Sequence, residues 1–174
     1  FASPGQVVNF FNMIIKMKIG IADTMFSRVD MFEIAKKAIE DSMQAIKIER
    51  YTVPGVKDLP LACKKLIEEH NCDICLALGM PGSEKIDKTC AHEASQGLIS
   101  TQLITNKHIL EVFVHLDEGN DNNGELNKKK LQEMTHNRVY DHTMNAIALL
   151  KSKTSLSPKA GQGIRQGHED AGQL

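Results

Sequence analysis

Tryptophan is missing from this chain, and aromatic residues of all kinds make up only 5% of it. With so few rings to distribute, each Phe and Tyr is worth locating. An excess of charge of one sign is also missing. Lys and Arg total 21 against 22 for Asp and Glu, a net charge of -1, so no basic footprint points to nucleic acid. No apolar run approaches the roughly 20 residues that a membrane-spanning helix needs. Cysteines number four, too few for a dense disulfide framework, and a reduced, cytoplasmic setting is the expectation. The apolar opening, with Val7-Val8-Asn9-Phe10-Phe11 and Met13-Ile14-Ile15, lacks a basic leader region and a small-residue cleavage site, so it is a poor secretory signal.

What is present suits one domain with a full core: 174 residues, a length at which a single core is readily built. Met17-Lys18-Ile19-Gly20-Ile21 reads as a natural start running straight into a strand. Residues 1–16 are therefore taken as an upstream extension or cloning remnant, with apolar side chains free to dock on a partner. Residues 17–174 are the domain, ending in a polar, glycine-rich tail over 152–174.

The stretch that organises the chain is Ile74-Cys75-Leu76-Ala77-Leu78, an apolar strand that runs into the turn Gly79-Met80-Pro81-Gly82. A helix is expected to open near Asp87 and to run to about Asn106. Upstream, 18–23 is a strand, and Asp30 with Glu33 fits an N-cap and its N3 partner. Met31, Ala35, Ala38, Ile39 and Met43 form one apolar helical face. A second strand over 46–53 ends in the turn Pro54-Gly55. Asp58 is a candidate cap for the next helix and Pro60 is harmless in its first turn. Leu59, Ala62, Cys63, Leu66 and Ile67 repeat at helical spacing. A fourth strand lies within 108–115, and a long helix spans about 125–151, with Lys128-Lys129-Lys130 as a solvated face.

Cys72 and Cys75 form a CxxC. At the start of a strand, residues three apart point to opposite faces, and redox pairs sit at helix starts. Buried free thiols are the expectation. The GxG of the tail, Gly161-Gln162-Gly163, follows no strand and is not a dinucleotide fingerprint.

The order β-α-β-α-β-α-β-α predicts a mostly parallel four-stranded sheet in a flavodoxin-like three-layer α/β/α sandwich. Its ligand crevice lies outside the carboxyl ends of the strands. The loops at Phe26, Pro54-Gly55, Met80-Pro81-Gly82 and His115 gather there. The exposed position expected for Phe26 suits either stacking on a flat ring or capping the core. Residue patterns reach a small α/β domain with a glycine-lined crevice, and no reaction.

Four blocks go further. They are Asp23-Thr24 with Phe26-Ser27-Arg28-Val29-Asp30; Thr52-Val53-Pro54-Gly55 with Lys57-Asp58-Leu59-Pro60; Ala77-Leu78-Gly79-Met80-Pro81-Gly82 with Ala91-His92-Glu93-Ala94-Ser95; and Asn106-Lys107-His108-Ile109 with Val112-Phe113-Val114-His115. Together with Arg165-Gln166-Gly167 and Glu169-Asp170-Ala171-Gly172, they resemble the archaeal-type riboflavin synthases over about 17–172. That family is similar to lumazine synthase in fold and pentameric assembly. After Gly79, however, the Arg-Gly-x-Thr-x-His pattern of lumazine synthase is absent, and Met80-Pro81-Gly82-Ser83-Glu84-Lys85 stands in its place.

The resemblance implies a dismutation. Two molecules of 6,7-dimethyl-8-ribityllumazine give riboflavin and 5-amino-6-ribitylamino-2,4(1H,3H)-pyrimidinedione, with no organic cofactor. It implies a homopentamer with sites at subunit interfaces, and no nucleic acid or membrane partner. Phe26 is then expected to stack on a pteridine ring. Pro54, Gly55, Val56, Lys57 and Asp58 would bind ribityl hydroxyls. Gly79, Met80, Pro81 and Gly82 would meet the pyrimidinedione edge through main-chain groups, and Arg28 is a further substrate-binding candidate. Lys88 would hold developing negative charge, and His115 and His92 would carry protons. Phe113 would wall a neighbouring subunit's site, and Arg165 and Glu169 would fold over the crevice or clamp a subunit. Mg²⁺ enters only as an activator, since no Asp/Glu cluster of octahedral spacing marks a site. Two other readings stand beside this one: a lumazine synthase, and a non-catalytic flavin- or lumazine-binding shell protein.

Overall fold

The structure, a computed structural model, describes residues 17–166 and 168–174. The expectations for residues 1–16 lie outside the described residues. Eight elements alternate along the chain: β1 (Met17–Thr24), α1 (Met31–Asp41), β2 (Ile46–Val53), α2 (Leu59–Glu68), β3 (Ile74–Gly79), α3 (Lys85–Thr105), β4 (Ile109–Phe113) and α4 (Lys128–Lys151). The sheet order is β2-β1-β3-β4, and all its pairings are parallel. The order reverses direction at the β1/β3 pair, where flavodoxin-like sheets leave a crevice for ligands.

Alternation along the central strands builds both halves of the core. Ile19 and Ile21 of β1, with Ile74, Leu76 and Leu78 of β3, face α1 and α4, where they meet Met31, Ala35, Leu131, Val139 and Ile147. Ala22, Cys75 and Ala77 face the other way, toward Leu59, Cys63, Leu66 and Leu98 of α2 and α3. Six consecutive residues of β3 are buried, as expected of a strand covered on both faces. Each fully buried Leu or Ile contributes about 1.5–3 kcal/mol relative to exposure.

The α2/α3 face of β1 has Gly20, where an added Cβ would lie 2.7 Å from the Cys75 sulfur and 3.1 Å from the Cys72 sulfur. The two thiols therefore share the space over Gly20, and the sequence argument that they point to opposite faces fails. Cys72 precedes the strand, so strand alternation does not govern it. The expectation of buried free thiols stands. Hydrogen bonding with Cys75 and burial both push the Cys72 thiol up.

Local chemistry sets the helix ends. Asp30 accepts a hydrogen bond from the Glu33 N–H at 3.2 Å, and Asn127 accepts from the Lys130 N–H at 3.0 Å. Asp58 makes no side-chain cap; a 3₁₀ turn, Val56–Asp58, leads into α2 instead. Helix α3 opens at Lys85, two residues before the sequence expectation. Asp87 is its third residue, and its carboxylate accepts from the Glu84 N–H at 3.1 Å.

His142 is buried in α4, where its Nδ1–H donates to the Arg138 carbonyl at 2.8 Å. Burial lowers its pKa from the usual 6.5. An unfolded chain then takes up this proton before the folded one does. The stability that neutral His142 allows is present above about pH 6.5 and falls below it. His142→Gln is expected to shrink the loss of urea midpoint between about pH 7.5 and about pH 5.5. An unchanged pH dependence would show that His142 is not its source.

Candidate active site

The loops after β1, β2 and β3 meet in a cleft of about 270 Å³, lined by Phe26, Gly55, Val56, Lys57, Pro81, Gly82, Asp87 and Cys90. Its walls are mainly apolar. Phe26 is 61% exposed, so its ring is not core packing. The loop that carries it is tied down from below. The Met25 N–H donates to the Val53 carbonyl at 2.9 Å, and the Thr24 and Ser27 hydroxyls are 2.8 Å apart. Asp23, at the end of β1, receives Arg50 through two nitrogens at 2.6 and 3.3 Å and the Thr52 hydroxyl at 2.7 Å. The Arg50 guanidinium also lies 4.0 Å above the Phe32 ring.

A second cleft, of about 540 Å³, lies between α3 and β4. Phe113 joins the two. Its ring packs against Gly79, where an added Cβ would lie 2.9 Å from both the ring and Val56. Phe113 also lines the second cleft with His92, Ser95, Glu111 and His115. Here the ring packs within its own chain.

Charge dominates this second cleft. Arg138 of α4 is only 5% exposed. It donates to both Glu118 carboxylate oxygens, at 2.9 and 2.7 Å, and to the Phe113 carbonyl at 2.7 Å. Glu118 in turn accepts from the His115 N–H at 2.9 Å. Burial works to raise the Glu118 carboxyl, but Arg138 and the His115 N–H outweigh it and hold it below the usual range. Lys88 donates to Asp117 at 2.5 Å and lowers that carboxyl too. Glu111 goes the opposite way. Burial raises it, against a hydrogen bond with Ser95 and the nearby His115.

The structure thus brings together Phe26, Gly55, Val56, Lys57, Pro81 and Gly82 in one cleft, and Lys88, His92, Phe113 and His115 in the other. It sets other sequence candidates apart. Met80 is 1% exposed and points into the core, and Asp58 closes the 3₁₀ turn that leads into α2. Pro54 lies just outside the apolar cleft, and Arg28 lines a separate hollow beside Asp23. The carbonyls of Gly79 and Pro81 already accept from the Val114 and Leu116 N–H groups, each at 3.1 Å. Lys57 is paired with Glu93 at 2.6 Å. In the tail, Arg165 is exposed, with its N–H bonded to Asp170, and Glu169 lines a groove along α4. Among the described residues of the tail, His168 reaches the second cleft, 3.4 Å from Arg138. Arg138, Glu118, Glu111 and Asp117 escaped the sequence reading. The one signal available for Glu111 is a charged residue breaking an apolar strand, Ile109-Leu110-Glu111-Val112-Phe113. Among the described residues, no group of three or more His, Cys, Asp or Glu is arranged to hold a metal ion.

The profile of the 6,7-dimethyl-8-ribityllumazine synthase family matches residues 16–154. The riboflavin synthase of Methanothermobacter thermautotrophicus is 51% identical over 158 residues, 91% of this chain and 99% of that protein. The riboflavin synthase of Archaeoglobus fulgidus is 46% identical over the same shares. The 6,7-dimethyl-8-ribityllumazine synthase of that same organism is 30% identical over 98 residues, 54% of this chain and 68% of that protein.

Proposed function

The chain belongs to the 6,7-dimethyl-8-ribityllumazine synthase family and, within it, to the riboflavin synthases, and on that premise we propose that it dismutates 6,7-dimethyl-8-ribityllumazine. Two molecules exchange a four-carbon unit, giving riboflavin and 5-amino-6-ribitylamino-2,4(1H,3H)-pyrimidinedione. The observation that carries this reading over lumazine synthesis is the match to both enzymes of one organism. It runs nearly end to end with the riboflavin synthase and over about half of this chain with the lumazine synthase.

The clefts suit the reaction. Phe26, Val56 and Pro81 offer apolar surface to a flat heterocycle, and offset stacking on Phe26 fixes its plane. Gly55, Val56 and Lys57, with Pro54 and Asp58 beside them, meet the ribityl chain, and Gly82 lets the backbone approach the ring edge. Gly79 and Met80 support that turn from beneath, and Arg28, in the hollow beside Asp23, adds a cation for substrate. The reaction also needs a proton removed from a ring methyl and negative charge stabilised. His115 and His92 line the charged cleft, where their imidazoles relay protons, and Lys88 is the nearby cation. Holding two rings in register supplies much of the rate. Each chain presents an apolar half and a charged half. That, with Ile99, Leu103 and Ile104 exposed along α3, supports a homopentamer whose sites lie between subunits. Arg165 and Glu169 then belong to the tail that covers or clamps that junction. The free thiols support a cytoplasmic setting, and Mg²⁺ enters as an activator.

The test is incubation of the protein with 6,7-dimethyl-8-ribityllumazine alone. Riboflavin and the pyrimidinedione are expected in equal amounts. Tight binding without product would favour a shell protein, and turnover only of a pyrimidinedione with a four-carbon phosphate would favour lumazine synthesis. Phe26→Ala is expected to weaken lumazine binding about tenfold, the size of one good aromatic contact. Because the ring is exposed, the thermal midpoint should hold. Unchanged affinity would remove Phe26 from the site.

A further inference from the structure

We propose that Glu111 is the catalytic base of the charged cleft, the group that takes the proton from the ring methyl of a bound lumazine. This inference rests on the dismutase reading above.

Strand geometry makes the position unusual. Glu111 lies between Ile109 and Phe113 on the side of β4 that faces α3, where a strand covered by a helix normally carries apolar side chains. Opposite it stand Ala91 and Ser95 of α3. Two small residues one turn apart leave room above the carboxyl, which is where the cleft opens. An exposed carboxylate in water is a weak base for a carbon acid, and one half-buried between a strand and a helix is a stronger one.

The rest of the cleft singles Glu111 out. From α3, Lys88 and His92 face it; from the turn after β4, His115, Asp117 and Glu118; from α4, Arg138; from the tail, His168. Asp117 and Glu118 are each locked to a cation, Lys88 and Arg138. Among the described residues Glu111 has no such ion pair. The environments pull the carboxyls apart, two downward and one upward, and such a split marks acid and base roles. The step balances without an oxidant. The methyl C–H bond breaks, an O–H bond forms on Glu111, and the electron pair delocalises into the lumazine ring. The carboxylic acid later returns its proton to the nitrogen released as the pyrimidinedione product.

Methyl-proton exchange reports this step directly. The parent protein, E111Q and S95A are incubated with 6,7-dimethyl-8-ribityllumazine in D₂O, with loss of the methyl proton signal followed by NMR and riboflavin formation followed across pH. E111Q should bind lumazine with KM within about threefold of the parent while kcat falls about a hundredfold or more, the usual range for a lost general base. Enzyme-catalysed exchange should fall to the protein-free rate. S95A removes a bond that lowers Glu111, so the acid limb of its rate profile should move to higher pH, a shift that a packing role would not produce. Exchange and turnover in E111Q within about threefold of the parent would overturn the proposal, as would an unmoved acid limb in S95A. If E111Q does not fold, S95A decides. If the parent itself forms no riboflavin, the dismutase reading fails first and this inference with it.

Discussion

Arg138→Met is expected to cost about 3 kcal/mol of folding stability and most of the activity. Among the described residues, Arg138 donates to both Glu118 oxygens and to the Phe113 carbonyl. Removing it leaves a half-buried carboxylate facing no cation, and such a group costs far more than its pair contributes. The turn that carries His115 and Asp117 then loses its anchor to α4. Urea denaturation near pH 7.5 checks the stability. The double variant Arg138→Met, Glu118→Leu should recover most of the midpoint, because no uncompensated charge remains. It should not recover turnover, because the His115 N–H has lost its acceptor. A single variant within about 0.5 kcal/mol of the parent would show that the pair is only surface charge.

Gly79→Ala is the second large effect. The new Cβ would lie 2.9 Å from both the Phe113 ring and the Val56 side chain, well inside ordinary contact. Overpacking of this kind costs about 1–3 kcal/mol. The ring and Val56 are also the shared wall of the two clefts, so their displacement should lower kcat at least about tenfold, in line with the sensitivity of positioning to shifts of an ångström or less. Val56→Ala in the same chain removes one of the two clashes and should restore part of the stability. Parent-like turnover in Gly79→Ala would mean that the wall yields freely and that Phe113 does not position substrate.

Sequence alone determined the sandwich and its carboxyl-edge loops. Burial of β3 on both faces shows as an unbroken apolar run, and helix stripes such as Leu59 to Ile67 show as a period, because both are local consequences of which side meets water. The loop residues of the apolar cleft were legible for the same reason. Turn chemistry marks where strands end, and all three turns belong to one edge of a parallel sheet.

The charged cleft was not legible. Arg138 lies 20 residues from Glu118 and 25 from Phe113, and nothing in the sequence of α4 separates it from a solvated arginine. Cys72 and Cys75 share one face because the strand begins only at Ile74, a boundary that local pattern does not fix. Met80 turned inward and the Gly79 and Pro81 carbonyls were taken by the chain after β4. Those outcomes depend on what packs against the turn, not on the turn itself. Periodicity records exposure to water along the chain. The pairing of a buried charge is decided by which distant segment arrives beside it, and only the tertiary structure holds that.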